Sequence, residues 1–473
     1  MNERIRGPYN LRFVWMICLV AAMGGLLFGY DWVVIGGAKP FYQAHFDITD
    51  DVDWFYQGWA TSSALVGCLL GAVTAGMLSD RFGRKRLLIT AGLLFVLSAI
   101  GTALAWDFAS FNAFRLLGGI GIGLASNLSP MYIAEISPAE ARGRFVSINQ
   151  LTIVIGVLAA QVVNWIIASH VHGAVPDDAT VAWIRESWHG QIGWRWMFGS
   201  ETLPAFLFFV LMFFVPESPR WLLKYGRDEE AAAILTRVGG AQYAAAEVAD
   251  VKDTLAAEEI AHVRFADLLE PKMSKILALG VFLAVFQQWC GINVIFTYAE
   301  DIFKAAGSGV SGMMSSVVAT GVVNLIFTFV AIGTVDRLGR RPLMLIGATG
   351  LAGIYAVMGA GYYFESGGVY MLVLVLAAVG CYSMSLAPIT WVVISEVFPN
   401  RIRGAAMSVA VFSLWVGCTV LTFTFPRLEK ELGMHGVFWL YGAICLAGLA
   451  VIWRFLPETK GKSLEDIERE LVD

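Results

Sequence analysis

Charge is scarce in this chain. Asp, Glu, Lys and Arg make up 15% of its 473 residues, against roughly 25% in soluble globular domains. With 57% hydrophobic residues, 49 Gly, 31 Phe and 16 Trp, that shortfall excludes a water-soluble design and places the chain among integral membrane proteins. Cysteine is equally thin. The six present, Cys18, Cys68, Cys290, Cys381, Cys418 and Cys445, all fall in apolar stretches. They read as small buried thiols and imply no disulfide framework. The six His are scattered, and no metal-ligand cluster, nucleophile motif or cofactor loop is present, so neither an enzyme nor a cofactor or metal is expected. "GGIGIG" at 118–123 only looks like a nucleotide loop: it lies inside an apolar run and its spacing does not fit G-x-G-x-x-G. Gly119-xxx-Gly123 and Gly67-xxx-Gly71 read instead as close helix packing. The net charge of −5 is uninformative, because orientation depends on where Lys and Arg lie.

What the chain has is long hydrophobic runs. Twelve candidate helices fall at about 13–38, 57–78, 87–106, 110–134, 145–169, 194–215, 275–303, 312–335, 342–363, 370–395, 404–426 and 436–456, each long enough to cross a bilayer. The first is too long for a signal-peptide core and is kept as a span. "DRFGRKR" (80–86), "EARGR" (140–144), "DRLGRR" (336–341) and "NRIRG" (400–404) follow even-numbered spans, whereas "KPFYQAHFDITDDVD" (39–53), read as a loop on the other side, is mostly acidic. The positive-inside rule then puts both termini in the cytoplasm. Segment 219–269 is rich in Ala, Glu, Lys and Arg with helical periodicity, and reads as amphipathic cytoplasmic helices. The expected organisation is a six-helix bundle over 1–217, linker helices over 218–270, a second bundle over 271–457 and a cytoplasmic tail over 458–473.

The halves echo one another. "DRFGRK" (80–85) matches "DRLGRR" (336–341), "YIAEISPAEARG" (132–143) matches "VVISEVFPNRIRG" (392–404), and "PESPR" (216–220) matches "PETKG" (457–461). Three motif pairs in one order indicate an internal duplication, an architecture of transporters that hold substrate between parallel repeats. The charges of the paired loops, Asp80, Arg84, Glu135 and Arg142 with Asp336, Arg340, Glu396 and Arg403, are read as a cytoplasmic latch that breaks when the inner side opens.

Polar groups inside the spans point to the substrate. A charge at the centre of a membrane helix costs about 2.5–3.5 kcal/mol even on a lenient scale, yet Asp31 sits within "GGLLFGYDWVVIGG" (24–37), and Arg115 and Glu201 lie within or at the edge of spans. Arg115 has the alternative of snorkelling, and Glu201 that of a helix-end charge. If the three meet, two acids share one base, and one acid should be protonated for part of a cycle. The second half carries uncharged groups instead. Gln287, Gln288, Asn293, Thr297 and Tyr298 share the seventh span, with Gly291 placed to loosen it, and Gln150, Asn324, Trp391 and Trp415 join from elsewhere. Amides suit hydroxyl groups and indole faces suit sugar rings; the competing reading is polar glue between helices.

The motifs "GGLLFGYD", "DRFGRK", "PMYIAEISPAEARG", "PESPRWL", "QQWCGINVIFTYA", "DRLGRR", "SEVFPNRIRG" and "PETKG" resemble, over essentially the full length, those of the sugar porter family of the major facilitator superfamily. Its bacterial D-xylose:proton symporters are nearest in pattern and its facilitative glucose transporters further off. The resemblance implies an all-α membrane protein of twelve transmembrane helices in two pseudo-symmetric six-helix bundles, alternating access, and a monosaccharide and a proton as partners besides the lipid bilayer. It implies no nucleic acid, a bacterial inner-membrane location and a monomer. Position by position it makes Asp31 the proton-coupling acid, Arg115 its partner and Glu201 a supporting carboxylate. It makes Gln150, Gln287, Gln288, Asn293, Asn324 and Trp391 sugar contacts, with Tyr298 and Trp415 lining the site. Leu414, Thr297 and Ala387 depart from the xylose pattern, so a pentose is expected first, a hexose second and inositol third. A facilitative uniporter, with Asp31 merely structural, is the alternative. A non-transporting sugar sensor is a third reading, against which the short acidic segment after Pro457 weighs.

Overall fold

The computed structural model describes residues 9–48, 54–260, 268, 270–307, 309–398 and 403–460. Among them the secondary structure is helical, with no strand. Eleven helices are long and apolar enough to span a membrane: Leu11–Phe46, Trp54–Phe82, Arg84–Ala103, Phe108–Ile136, Arg142–His170, His189–Phe214, Met273–Thr297, Gly312–Val335, Arg340–Tyr363, Val369–Val397 and Ala405–Phe455. The last is two spans. At about 1.5 Å per residue a straight helix of that length would exceed twice the roughly 30 Å hydrocarbon thickness, and Gly433 breaks it with non-helical φ 66°, ψ 166°. Its arms run in opposite directions along the seventh span. Trp289 reaches Gly417 and Tyr298 stacks on Phe425 on one side. Gly291 abuts Tyr441 and Gly448 abuts Phe286 on the other.

The first span is longer than the sequence indicates. Lys39-Pro40 reads as the start of a loop, but the helix continues to Phe46. A proline is tolerated in a membrane helix where neighbours satisfy the freed backbone, and the Lys39 ammonium is paired inside the protein with Asp301.

Glycine sets the spacing of the second and fourth spans. A Cβ on Gly67 would lie 2.1 Å from the Leu116 carbonyl oxygen, and one on Gly119 would lie 1.9 Å from that of Ala64; Gly71 and Gly123 meet one turn on. The small-residue pairs therefore allow main chain against main chain, as their spacing indicates. Between the sixth and seventh spans, Pro219–Lys224 and the kinked Asp228–Ile260 are helical. They close their own small core of Trp221, Leu222, Leu223 and Ala231 and dock on the start of the first span, where the Asn10 N–H donates to the Val238 carbonyl at 2.8 Å.

The halves differ in how they are broken. In the second half Gly291, with φ 86°, interrupts the seventh span, and Ser385, with φ −124° and ψ −86°, interrupts the tenth. Their counterparts, the first and fourth spans, are continuous through Pro40 and Pro130.

Gly119→Ala should force the second and fourth spans apart, at an overpacking cost of about 1–3 kcal/mol. Its expected signature is a lower Tm of the detergent-purified protein, while Gly76→Ala, where nothing lies within 4 Å, should leave Tm unchanged. Equal Tm for both variants would contradict the packing argument.

Candidate functional site

The charged residues of the first half meet. Asp31, Arg115 and Glu201 are 1%, 1% and 2% exposed. Arg115 Nη1 donates to Asp31 Oδ1, and Nη2 donates to the Asp31 main-chain oxygen at 3.1 Å. The guanidinium therefore keeps one contact that does not depend on the charge of the carboxyl. It also lies 5.3 Å from the Phe198 ring centroid, so snorkelling is excluded for Arg115. Glu201 sits within electrostatic range of both partners, inside the sixth span. Tyr30 ties that level of the sixth span to the first through a 2.6 Å hydrogen bond with Ser200 Oγ. Among the described residues, Asp31 Oδ2 and Glu201 Oε1 have no hydrogen-bond partner. Gly118 makes room for the former: a Cβ there would lie 2.7 Å from Asp31 Oδ2.

The second half presents a directed chain of amides. Asn293 Nδ2 donates to Gln288 Oε1, Gln288 Nε2 to Gln287 Oε1 at 3.3 Å, and Gln287 Nε2 to the Ala387 carbonyl at 3.1 Å. That carbonyl belongs to the broken start of the second piece of the tenth span, so the amides also satisfy backbone that the break exposes. Asn324 Oδ1 accepts from Ser383 Oγ at 2.7 Å. Gln150 and Trp391 are exposed, and Trp415 is nearly buried, 5.9 Å from the Phe28 ring. Tyr298 differs from expectation. It is fully buried, its hydroxyl donates to the Thr422 carbonyl at 2.7 Å, and the Lys39 ammonium sits 4.9 Å over its ring. In this state it belongs to the closure between the halves and not to an open lining. Of the departures from the xylose pattern, Thr297 turns its hydroxyl back to the Asn293 carbonyl at 2.8 Å and Leu414 is buried.

Contacts joining the halves gather at the end away from the basic loops. There Lys39 pairs with Asp301, Trp54 and Phe55 pack on Phe423, and Gly58 meets the Phe423 carbonyl. Gln161 Nε2 donates to Thr320 Oγ1 at 3.3 Å.

At the basic-loop end the charges form two matching clusters, each within its own half. Arg84 grips Glu135 with two 3.0 Å bonds and reaches Asp80 at 3.4 Å. Arg340 reaches Glu396 at 3.2 Å. Glu135 is thus held by Arg84 and not by Arg142, whose Nε donates to the Ala134 carbonyl at 3.0 Å. The side chains of Asp336 and Arg403 lie outside the described residues. Two members of the clusters were quoted in the repeat but given no role by sequence: Glu217 and Glu458. Glu217 accepts the backbone N–H groups of Arg84 and Lys85, each at 3.0 Å. Glu458 accepts those of Arg340 and Arg341 at 3.0 and 3.1 Å. Each carboxylate therefore caps the N-terminus of the third span of its half.

A model of the Sugar (and other) transporter family matches residues 17–471. This chain belongs to the sugar porter family of the major facilitator superfamily. The sugar porter is 39% identical to the D-xylose-proton symporter of Escherichia coli (strain K12), covering 97% of this chain and 96% of that protein. It is 36% identical to the arabinose-proton symporter of Bacillus subtilis (strain 168), covering 99% and 97%. It superposes on the inward open conformation of the E. coli xylose transporter with a TM-score of 0.83 at 36% identity, covering 97% of this chain and 99% of that one.

Sequence reasoning missed Gln161, Lys39 and Asp301 in this sugar porter. Gln161 was legible: it lies eleven residues after Gln150, on the same helix face after about three turns. Lys39 and Asp301 carry no local signal, because their pairing is made across the halves.

Glu458 gives a pH dependence. Burial works against its carboxylate, but the backbone N–H groups of Lys460, Arg340, Arg341 and Thr459 outweigh it and hold the group below the ordinary glutamate range. A carboxyl depressed in the fold contributes stability that is present above its unfolded value and is lost as pH falls through the folded one. The Tm should therefore fall on acidification below the glutamate range. Glu458→Gln should lower Tm at neutral pH and flatten the acid limb; an acid limb as steep as the parent's would contradict the capping role.

Proposed function

We propose that this sugar porter couples monosaccharide uptake to proton entry by alternating access in a bacterial inner membrane, with a pentose such as D-xylose as first substrate and a hexose as second. The observation that carries the reading is the division of labour between the halves: a buried Asp31–Arg115–Glu201 cluster in one and, in the other, a chain of amides bonded to the helix that carries exposed Trp391. The xylose and arabinose relatives, both proton symporters by name, support it. The basic loops and both termini face the cytoplasm, and the protein works as a monomer.

Asp31 is the proton carrier. Two carboxyls face one guanidinium in a dry site, and an uncompensated buried charge costs several kcal/mol. Charge balance therefore calls for one proton on the pair of acids, and Arg115, which keeps its own proton, attracts Asp31 when it is ionised and releases it when it takes up the proton. Gln150, Gln287, Gln288, Asn293 and Asn324 bind sugar hydroxyls, and Trp391 and Trp415 pack on the ring. Tyr298 contributes when the outer side opens. Asp80, Arg84, Glu135 and Arg142, with Asp336, Arg340, Glu396 and Arg403, form a cytoplasmic latch that breaks when the inner side opens. A proton crossing 100 mV gains about 2.3 kcal/mol, which drives roughly 50-fold accumulation before any pH gradient is counted.

Asp31→Asn should abolish accumulation of labelled D-xylose against its gradient in proteoliposomes while leaving sugar exchange near the parent rate. Loss of both activities, or accumulation that persists, would remove Asp31 from proton coupling. Gln288→Ala deletes a hydroxyl contact and should raise KM by about fivefold to tenfold; an unchanged KM would take Gln288 out of the sugar site.

A further inference from the structure

Lys39 is an anomaly in this bilayer protein. It is 2% exposed, near the far end of the helix that carries Asp31. Its ammonium pairs with Asp301 of the short helix Ala299–Ala305 that follows the seventh span, lies over the Tyr298 ring and is within electrostatic range of Glu300. Tyr298 in turn donates to the eleventh span at Thr422. One helical turn before Lys39, Gly36 lets the first span touch the seventh main chain to main chain: a Cβ there would lie 2.5 Å from the Phe296 carbonyl oxygen. The two partners thus sit on opposite halves, at the end where the halves are in contact. Asp31 is eight residues before Lys39, and Asn293 is eight residues before Asp301. The helix holding the proton cluster and the span holding the sugar amides are pinned together at this pair.

We propose that Lys39 and Asp301 form an ionic lock of the outer gate, with Lys39 a positioning residue in transport. This rests on the alternating-access reading above. While the site faces the cytoplasm the pair is joined and dry; when the outer side opens, both ions separate and hydrate at the mouth. Desolvation of the two ions opposes their attraction in the joined state, so both arrangements stay accessible and the lock is reversible. Removing one partner changes that balance in one direction. The remaining charge loses its directly bonded partner when the gate is closed but is hydrated when it is open, so neutralising either residue favours the outward-open state.

The test uses Thr61→Cys, a second-span position 3% exposed and near the Tyr42 and Tyr298 hydroxyls, labelled from outside in vesicles by an impermeant thiol reagent. Added Lys39→Met or Asp301→Asn should each speed labelling at least tenfold. The exchanged pair, Lys39→Asp with Asp301→Lys, should slow it again, and Lys39→Arg should label like the parent. In uptake, Lys39→Met should lower both KM for external sugar and kcat, a split that a merely unstable protein would not give. Parent-rate labelling in both neutralised variants would overturn the lock, as would fast labelling in the exchanged pair. If the Thr61→Cys parent accumulates sugar while those labelling results fail, the lock alone is wrong; if the parent moves no sugar under a proton gradient, the functional reading and the lock fall together.

Discussion

The buried pair of Asp31 and Arg115 is the constraint around which the first half is arranged. Charges at this depth are tolerated only when paired, and the pairing dictates its surroundings. Gly118 leaves room for the carboxylate, Tyr30 anchors the sixth span at the level of Glu201, and the Asp31 main-chain oxygen gives Arg115 a second contact. Close approach of the second and fourth spans through Gly67, Gly71, Gly119 and Gly123 fixes the helix from which Arg115 projects. A third charge, Glu201, makes the cluster odd-numbered, and an odd-numbered cluster in a dry site is a natural place for a proton.

The second half answers with neutral polarity and broken helices. Gly291 and Ser385 interrupt the seventh and tenth spans, and Gln287 satisfies carbonyls at the second break. The duplicated chain thus keeps one frame and gives its halves different chemistry. The shared frame is visible where Glu217 and Glu458 cap equivalent helices, and the divergence is visible in the continuous first span against the interrupted seventh. Continuity lets the first span link Asp31 to Lys39 as one rod, while the interruption lets the seventh bend beside the amides.

Much of this was legible in the sequence, for identifiable reasons. Hydrophobic runs of bilayer length located the spans, because the hydrocarbon core tolerates little else. Small residues four apart marked the second-to-fourth span contact, and Gly291 marked the break before Asn293. Legibility failed where a residue's meaning depends on a partner far along the chain. Lys39-Pro40 has the composition of a loop, and only Asp301, 262 residues away, makes it a helix interior. Glu135 is held by Arg84 of the third span, a partner 51 residues away that no local spacing marks. The seam between the last two spans was seen in the sequence as a gap at 427–435, while the backbone passes through it with a single break at Gly433.

The central claim is that a proton enters with the sugar by way of Asp31. The most direct measurement is the external pH of a lightly buffered suspension of de-energised vesicles containing the protein, on adding D-xylose, L-arabinose or D-glucose. The account predicts immediate alkalinisation with at least one of these sugars, and none with the same sugar in the Asp31→Asn variant. Entry of a labelled sugar with no change in external pH would contradict it, leaving a facilitative carrier with a structural carboxylate.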